Sequence, residues 1–192
     1  AWGALFPLLT VVCSQLVGIE QAGLFSMAFV VATLLLFVAQ YGVRTYQVSD
    51  IAEQRSFSDY QIQRAATVVV MVLAGLIWVF FKGYAEPMFS ICTGALLFRA
   101  VDGMADVYEG RLQQKDKLYL AGLSQALRCS ASFILFTVVL FVTRNLVWAS
   151  WSMGICALIT LVFVSAPLAI LETDKSVRIK LANIKDIFVQ CW

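Results

Sequence analysis

Apolar residues run through this chain in six long stretches, at residues 1–17, 24–44, 65–81, 87–108, 118–142 and 146–171, separated by short polar segments. A helix that crosses a bilayer needs roughly 20 mostly apolar residues. The pattern therefore predicts an all-α integral membrane protein, with a six-helix transmembrane bundle over residues 1–171. The first stretch is short and opens without methionine, so its start is expected to lie upstream. Residues 18–23, 82–87 and 143–145 allow only tight turns, and the helices flanking 143–145 must be antiparallel neighbours; Pro87 suits the first turn of the helix after it. The connection 45–64 is longer. It contains Ser49-Asp50 and Ser58-Asp59, both competent N-caps, and predicts a short interfacial helix before the third span. In residues 172–192, Val177, Ile179, Leu181, Ile184, Ile187 and Phe188 are interleaved with Lys180, Lys185 and Asp186. That pattern predicts an amphipathic linker on the cytoplasmic membrane surface, leading into more protein.

The charges of the connections are sorted by side. Arg44, Arg55 and Arg64 belong to the second connection, Arg111, Lys115 and Lys117 to the fourth, and Lys175, Arg178, Lys180 and Lys185 to the tail. The opposite turns hold only Lys82 and Arg144. Basic residues accumulate in cytoplasmic loops, so ten against two predicts that both ends of the segment are cytoplasmic.

Composition narrows the chemistry. With 61% hydrophobic and 14% charged residues, a soluble nucleic-acid binder is excluded. The chain has no histidine, which removes His-based nucleophilic triads and His-ligated metal sites. Its five cysteines show no CxxC spacing and read as small packing residues. There is no phosphate-binding loop of the Walker type, and Ala1–Val17 lacks the basic leader and cleavage site of a signal peptide. The chain is read as a non-enzyme without cofactor or metal.

What remains is a set of polar stripes inside the spans. An ionisable residue in a transmembrane helix is expensive and marks a functional site by default. Arg99, Asp102, Asp106 and Glu109 recur at helical spacing and share one face of the fourth span. Ser124, Arg128 and Ser132 form a stripe on the fifth, and Thr33, Gln40, Arg44 and Gln47 one on the second. Lipid cannot solvate such stripes, so they must face one another or a polar cavity. A closed salt-bridge network would pair Arg99 with Asp102 along one helix, and Arg128 with Asp106 across to the next. Arginine offers planar, bidentate recognition of phosphate. That makes Arg99, Arg128, Arg44 and Gln40 candidate substrate ligands, with Asp102, Asp106 and Glu109 as charge-balancing or ion-coupling groups. Pro7 is a candidate kink. Trp2, Trp78, Tyr84, Trp148 and Trp151 lie near span ends as interface anchors, and Gly94 and Gly103 are expected at close helix contacts.

The run Tyr41-Gly42-Val43-Arg44-Thr45-Tyr46-Gln47-Val48-Ser49-Asp50-Ile51, followed by Phe57-Ser58-Asp59-Tyr60 and Arg64, resembles the Wzx-type polysaccharide flippases of the MOP superfamily. Gly18-Ile19-Glu20-Gln21-Ala22-Gly23 resembles that family's first outside turn. Asp106-Val107-Tyr108-Glu109-Gly110 with Gln113-Gln114 resembles its fourth-helix exit, and Arg128 stands where the family often has an arginine. The resemblance implies two pseudo-symmetric helical bundles, of which this chain supplies the first, its partner being the missing C-terminal bundle of the same polypeptide. It implies a polyprenyl-pyrophosphate-linked oligosaccharide as cargo, flipped across the bacterial cytoplasmic membrane by alternating access. An ion-coupled multidrug exporter of the related MATE type is the alternative and would favour a net acidic cavity. A prenyl-phosphate enzyme would need a metal-binding carboxylate cluster; Asp50, Glu53 and Asp59 lack metal-ligand spacing. In a purely structural subunit, alanine at Arg99 or Arg128 would affect stability alone.

Overall fold

The computed structural model describes residues 2–172; of these, 88% are helical and none lies in a strand. The linker expected beyond Glu172 falls outside the described residues. The helices are α1 (Trp2–Val17), α2 (Ile19–Gln40), α3 (Val43–Ser49), α4 (Phe57–Phe81), α5 (Met88–Gln114), α6 (Leu118–Thr143) and α7 (Leu146–Thr160). The last continues through a π-helical turn, Leu161–Ser165, into α8 (Ala166–Glu172). Five stretches are long and apolar enough to cross a membrane, and α1 is a shorter apolar helix that contains Pro7. The chain is an all-α, multi-pass membrane bundle.

Large apolar side chains such as Val38, Val70, Val142 and Phe163 are more than half exposed around its circumference. That surface is stable against lipid and not against water. The interior runs the other way. The span at α5 is the least apolar, with a hydropathy of 1.3 against 2.0–2.5 for the other four, yet 72% of its window is buried against 28–39% for theirs. Polar groups in a bilayer must be solvated by protein, so the least lipid-compatible helix takes the axis. It packs against α2, α4, α6 and α7. The close approach expected at small residues is present: a Cβ added to Gly94 would lie 2.9 Å from the Ser150 backbone on α7, and one on Gly103 would lie 3.1 Å from Val68 on α4.

Two expected boundaries are corrected. The helix of the second span does not run unbroken to Arg44. It stops at Gln40, because Tyr41 and Gly42 both take left-handed conformations (φ 45° and 64°), and α3 starts afresh. Glycine adopts that conformation without Cβ strain. The short helix therefore ends at Ser49, and Asp50 is its C-cap instead of starting a helix. The third span begins at Phe57, not residue 65, and its cap is Ser56, not Ser58. The Ser56 hydroxyl accepts from the Asp59 backbone N–H, and the Asp59 carboxylate accepts from the Ser56 N–H, each at 3.3 Å. This reciprocal capping box satisfies two orphan donors of the helix start.

The two ends of the bundle differ. At one, Arg144 donates to the Leu16 carbonyl at 2.6 Å, and a crater is shared by Gln21, Pro87 and Asn145, so the three short connections lie together; the first is tighter than expected, since residues 19–23 already belong to α2 and only Gly18 separates it from α1. Asn145 caps α7 by accepting from the Val147 N–H at 2.9 Å. At the other end, residues 50–56 are fastened to α5. Glu53 binds Arg111 at 3.3 Å and also Lys115, while Gln114 donates to the Asp50 carbonyl at 2.6 Å.

The hydrogen bond from Lys115 holds the Glu53 carboxyl below its ordinary pKa of 4.5, with Arg111 adding to the effect. A carboxylate with a depressed folded pKa contributes stability above the unfolded value and loses it as pH falls through the folded one. Hydrogen exchange across residues 50–56, corrected for intrinsic rates, is therefore expected to accelerate as pH falls below 4.5. That acid-induced increase should shrink in Glu53→Gln; an equal increase in both proteins would remove Glu53 from the latch.

Candidate functional site

The charged groups of the polar stripes, all buried except the half-buried Arg44, form a single chain. Arg64 on α4 donates to Asp106 at 2.7 Å, and Arg44 on α3 donates to the other Asp106 oxygen at 2.9 Å. Arg44 also lies 3.7 Å from Glu109, whose other oxygen accepts from Arg128 on α6 at 2.7 Å. Arg128 reaches Asp102 through Nε at 3.0 Å, and Asp102 takes Arg99 at 2.9 Å. Read in order, Arg64, Asp106, Arg44, Glu109, Arg128, Asp102 and Arg99 alternate in sign and begin and end on a cation. The helical spacing on α5 puts its three carboxylates in register to receive arginines from α3, α4 and α6.

The expected pairing is half right. Arg99 does bind Asp102 along α5. Arg128 does not bind Asp106; it bridges Asp102 and Glu109, one turn to either side. Asp106 is already occupied by Arg44 and Arg64. Arg64, counted in the sequence among loop charges, is fully buried seven residues into α4, and its Nη1 donates to the Ala39 carbonyl at 3.1 Å. Arg111 is likewise buried within α5. With Arg64 included, four arginines face three carboxylates.

A cavity of about 370 Å³ opens beside this chain, between the end of α2, the start of α3, α5 and α6. Six of the seven candidate residues line it: Gln40, Arg44, Asp102, Asp106, Glu109 and Arg128. Thr45 and Gln125 line it too and were missed, although Gln125 stands beside the Ser124–Arg128 stripe. Arg99 does not reach the wall. It is stacked 4.3 Å over the Phe29 ring, and its Nε donates to Thr33 at 3.1 Å. There it closes the polar layer against an aromatic plug in which Phe29 packs on Phe6 and Phe98, and Phe25 on Phe136.

The break between α2 and α3 shapes the site. A continuous helix would have left Thr33, Gln40, Arg44 and Gln47 on one face. Instead Thr33 serves Arg99, Gln40 and Arg44 turn to the cavity, and Gln47 is buried with its amide donating to the Val107 carbonyl at 3.1 Å. Arg44 is the most accessible of the charges, with 32% of its side chain exposed, and it is steadied by Gln113 at 3.1 Å. Ser165, in the π-helical turn, shares a 2.7 Å hydrogen bond with Ser124 and lies 3.4 Å from Arg128. A π-turn rotates the residues after it relative to a regular helix, and such turns are frequent at functional sites.

Asp50, Glu53 and Asp59 do not converge. Asp50 accepts from the Gln54 and Arg55 backbone and from Tyr60, Glu53 belongs to the latch, and Asp59 caps α4. Among the described residues no group of histidine, cysteine, aspartate or glutamate side chains could hold a metal ion.

Fold and site together define a multi-pass α-helical membrane protein with a buried ionic chain lining a polar cavity. Compared with protein-family profiles, curated proteins and solved structures, the chain finds no match.

Proposed function

We propose that this bundle is one half of a flippase that moves a polyprenyl-pyrophosphate-linked oligosaccharide across the bacterial cytoplasmic membrane for cell-surface polysaccharide assembly. In this reading both ends of the segment are cytoplasmic, and a second helical bundle of the same polypeptide rocks against this one. The observation that carries the reading is the arginine-terminated chain of seven charges beside a cavity that Arg44 and Arg128 reach. The diphosphate is the part of such a lipid that hydrocarbon rejects most strongly. Guanidinium groups replace its water with fixed, bidentate donors. An excess of one arginine leaves the empty cavity near neutrality, and the anion is attracted on entry.

The test is the distribution of lipid-linked oligosaccharide between the two leaflets in cells lacking the full-length gene. Accumulation on the cytoplasmic side, relieved by the wild-type gene and not by Arg44→Gln, is expected. An unchanged distribution, with no redundant flippase present, sinks the reading.

One observation favours an exporter of organic cations of the MATE type. On the cavity wall itself, Asp102, Asp106 and Glu109 outnumber Arg44 and Arg128. Arg64 and Arg99, directly behind the wall on Asp106 and Asp102, reverse that balance. Cation efflux that depends on this gene would restore the exporter.

A further inference from the structure

Asp106 differs from an ordinary ion-pair carboxylate in holding two arginines of unequal freedom. Arg44 is partly exposed on the cavity wall, while Arg64 has no exposed side-chain surface and is pinned to the Ala39 carbonyl. Arg44 stands two residues beyond the left-handed pair Tyr41-Gly42, on a helix of only seven residues. Its remaining partners are Gln113 at 3.1 Å and Glu109 at 3.7 Å, and its partial exposure leaves room on the cavity side for the side chain to turn. Arg64 sits in the second turn of a capped, 25-residue helix and cannot follow.

A buried carboxylate that loses its sole cation carries a severe desolvation penalty. Asp106 avoids it: when Arg44 turns away, Arg64 stays 2.7 Å from Oδ2. We propose that Arg44 is the arginine that exchanges its carboxylate for a phosphate-type anion in the cavity, and that Arg64 is the positioning residue that makes this exchange possible by keeping Asp106 paired. Arg64 touches no ligand itself. Arg128 is poorly suited to the exchanging role, because both its carboxylate contacts are made by a side chain only 1% exposed. The proposal rests on the anion-carrier reading above and names the parts by which the anion is admitted.

The experiment uses the full-length protein in detergent and inorganic pyrophosphate as the probe, with affinity read by calorimetry and folding by thermal melt. Arg64→Gln is chosen because the amide can still donate to the Ala39 carbonyl. It leaves Asp106 dependent on Arg44, and pyrophosphate affinity is expected to fall at least tenfold. Adding Asp106→Asn removes the charge that traps Arg44, and affinity should return to within about threefold of wild type. Adding Glu109→Gln instead restores the same net charge without releasing Arg44 from Asp106, and should recover little. Arg64→Lys, which keeps a cation near Asp106, should bind close to wild type.

Equal rescue by Asp106→Asn and Glu109→Gln would reduce Arg64 to a source of net charge and overturn the proposal. So would undiminished binding in Arg64→Gln, or loss without rescue in a double variant that melts normally. If wild type binds no pyrophosphate at all, the anion-carrier reading falls with it. If wild type binds and only the rescue pattern fails, that reading stands and the exchange does not.

Discussion

Arg128→Ala is expected to destabilise the bundle by about 3–5 kcal/mol, the range for removing one partner from a buried ion pair. The side chain is 1% exposed and spans two carboxylates, Nε to Asp102 at 3.0 Å and Nη1 to Glu109 at 2.7 Å. The two are not harmed equally. Asp102 keeps Arg99 at 2.9 Å; Glu109 is left with Arg44 at 3.7 Å while its own side chain is 3% exposed. Most of the loss should therefore come from Glu109, and Arg128→Ala/Glu109→Gln should recover much of it. Arg128→Lys should fall between, since one ammonium cannot reproduce a fork that reaches carboxylates one helical turn apart. Thermal unfolding in detergent reads all three, and a wild-type Tm for Arg128→Ala would mean that the ionic chain contributes nothing to the fold. Sequence alone favours a variant that inserts normally and fails only in transport. The geometry adds the stability loss, so transport by Arg128→Ala is interpretable only beside its Tm.

The axis of the fold was legible because one helix breaks the rule the others obey. Charges every three or four residues on an otherwise apolar span can only face inward, and α5 does so. The α6 stripe was legible for the same reason: Ser124, Arg128 and Ser132 are all buried. Arg64 reads as a loop charge because it lies just before the apolar stretch 65–81, whereas the helix begins at Phe57. With Ser56 and Asp59 taken as the capping box, α4 opens at Phe57. Tyr60, Arg64, Val68, Met71, Gly75 and Val79 then fall on one face at spacings of three and four, and all six are buried. The signal was present in the local sequence, and assigning Arg64 to a loop hid it.

The pairing across helices was not legible in the same way. Which carboxylate receives which arginine depends on the relative height of the helices, and a periodic pattern carries no information about that. The break at Tyr41-Gly42 is intermediate. Gly42 is a visible punctuation mark, but a glycine within an apolar run is also tolerated in a continuous helix. Only tertiary contacts decide that α3 turns Arg44 toward Asp106 and Gln113. The cavity itself is a property of four elements together. Of its lining, Gln40, Arg44, Asp102, Asp106, Glu109 and Arg128 were candidates from the sequence, Phe37, Gly42, Thr45 and Gln125 were not, and Arg99 lies behind it.

Gly94→Leu should be the most damaging substitution that touches no charge, at roughly 3 kcal/mol, the upper end of overpacking costs. A Cβ at Gly94 would lie 2.9 Å from both the backbone carbon and the Cβ of Ser150 on α7, and 3.1 Å from its carbonyl oxygen. Backbone cannot rotate aside as a flexible side chain does, so α5 and α7 must separate. The interface has little slack, because one helical turn along, Gly154 of α7 would bring a Cβ to 2.9 Å from Leu97 of α5. Small residues allow membrane helices to approach closely, and that approach supplies much of their attraction. Gly122→Leu on α6 is the control: nothing lies within 4 Å of its added Cβ, the position is exposed, and leucine is the better helix former. It should melt at or above the wild-type temperature. Separation at Gly94 should also reach the cavity, since α5 carries Arg99, Asp102, Asp106 and Glu109 as one row against arginines from α3, α4 and α6. A shift of α5 leaves the Arg99–Asp102 pair within the helix intact but alters the pairs it makes with Arg44, Arg64 and Arg128, so Gly94→Leu is expected to lose pyrophosphate binding as well as stability. A Gly94→Leu protein that melts and binds like wild type would refute the close α5–α7 contact on which the register of the ionic chain depends.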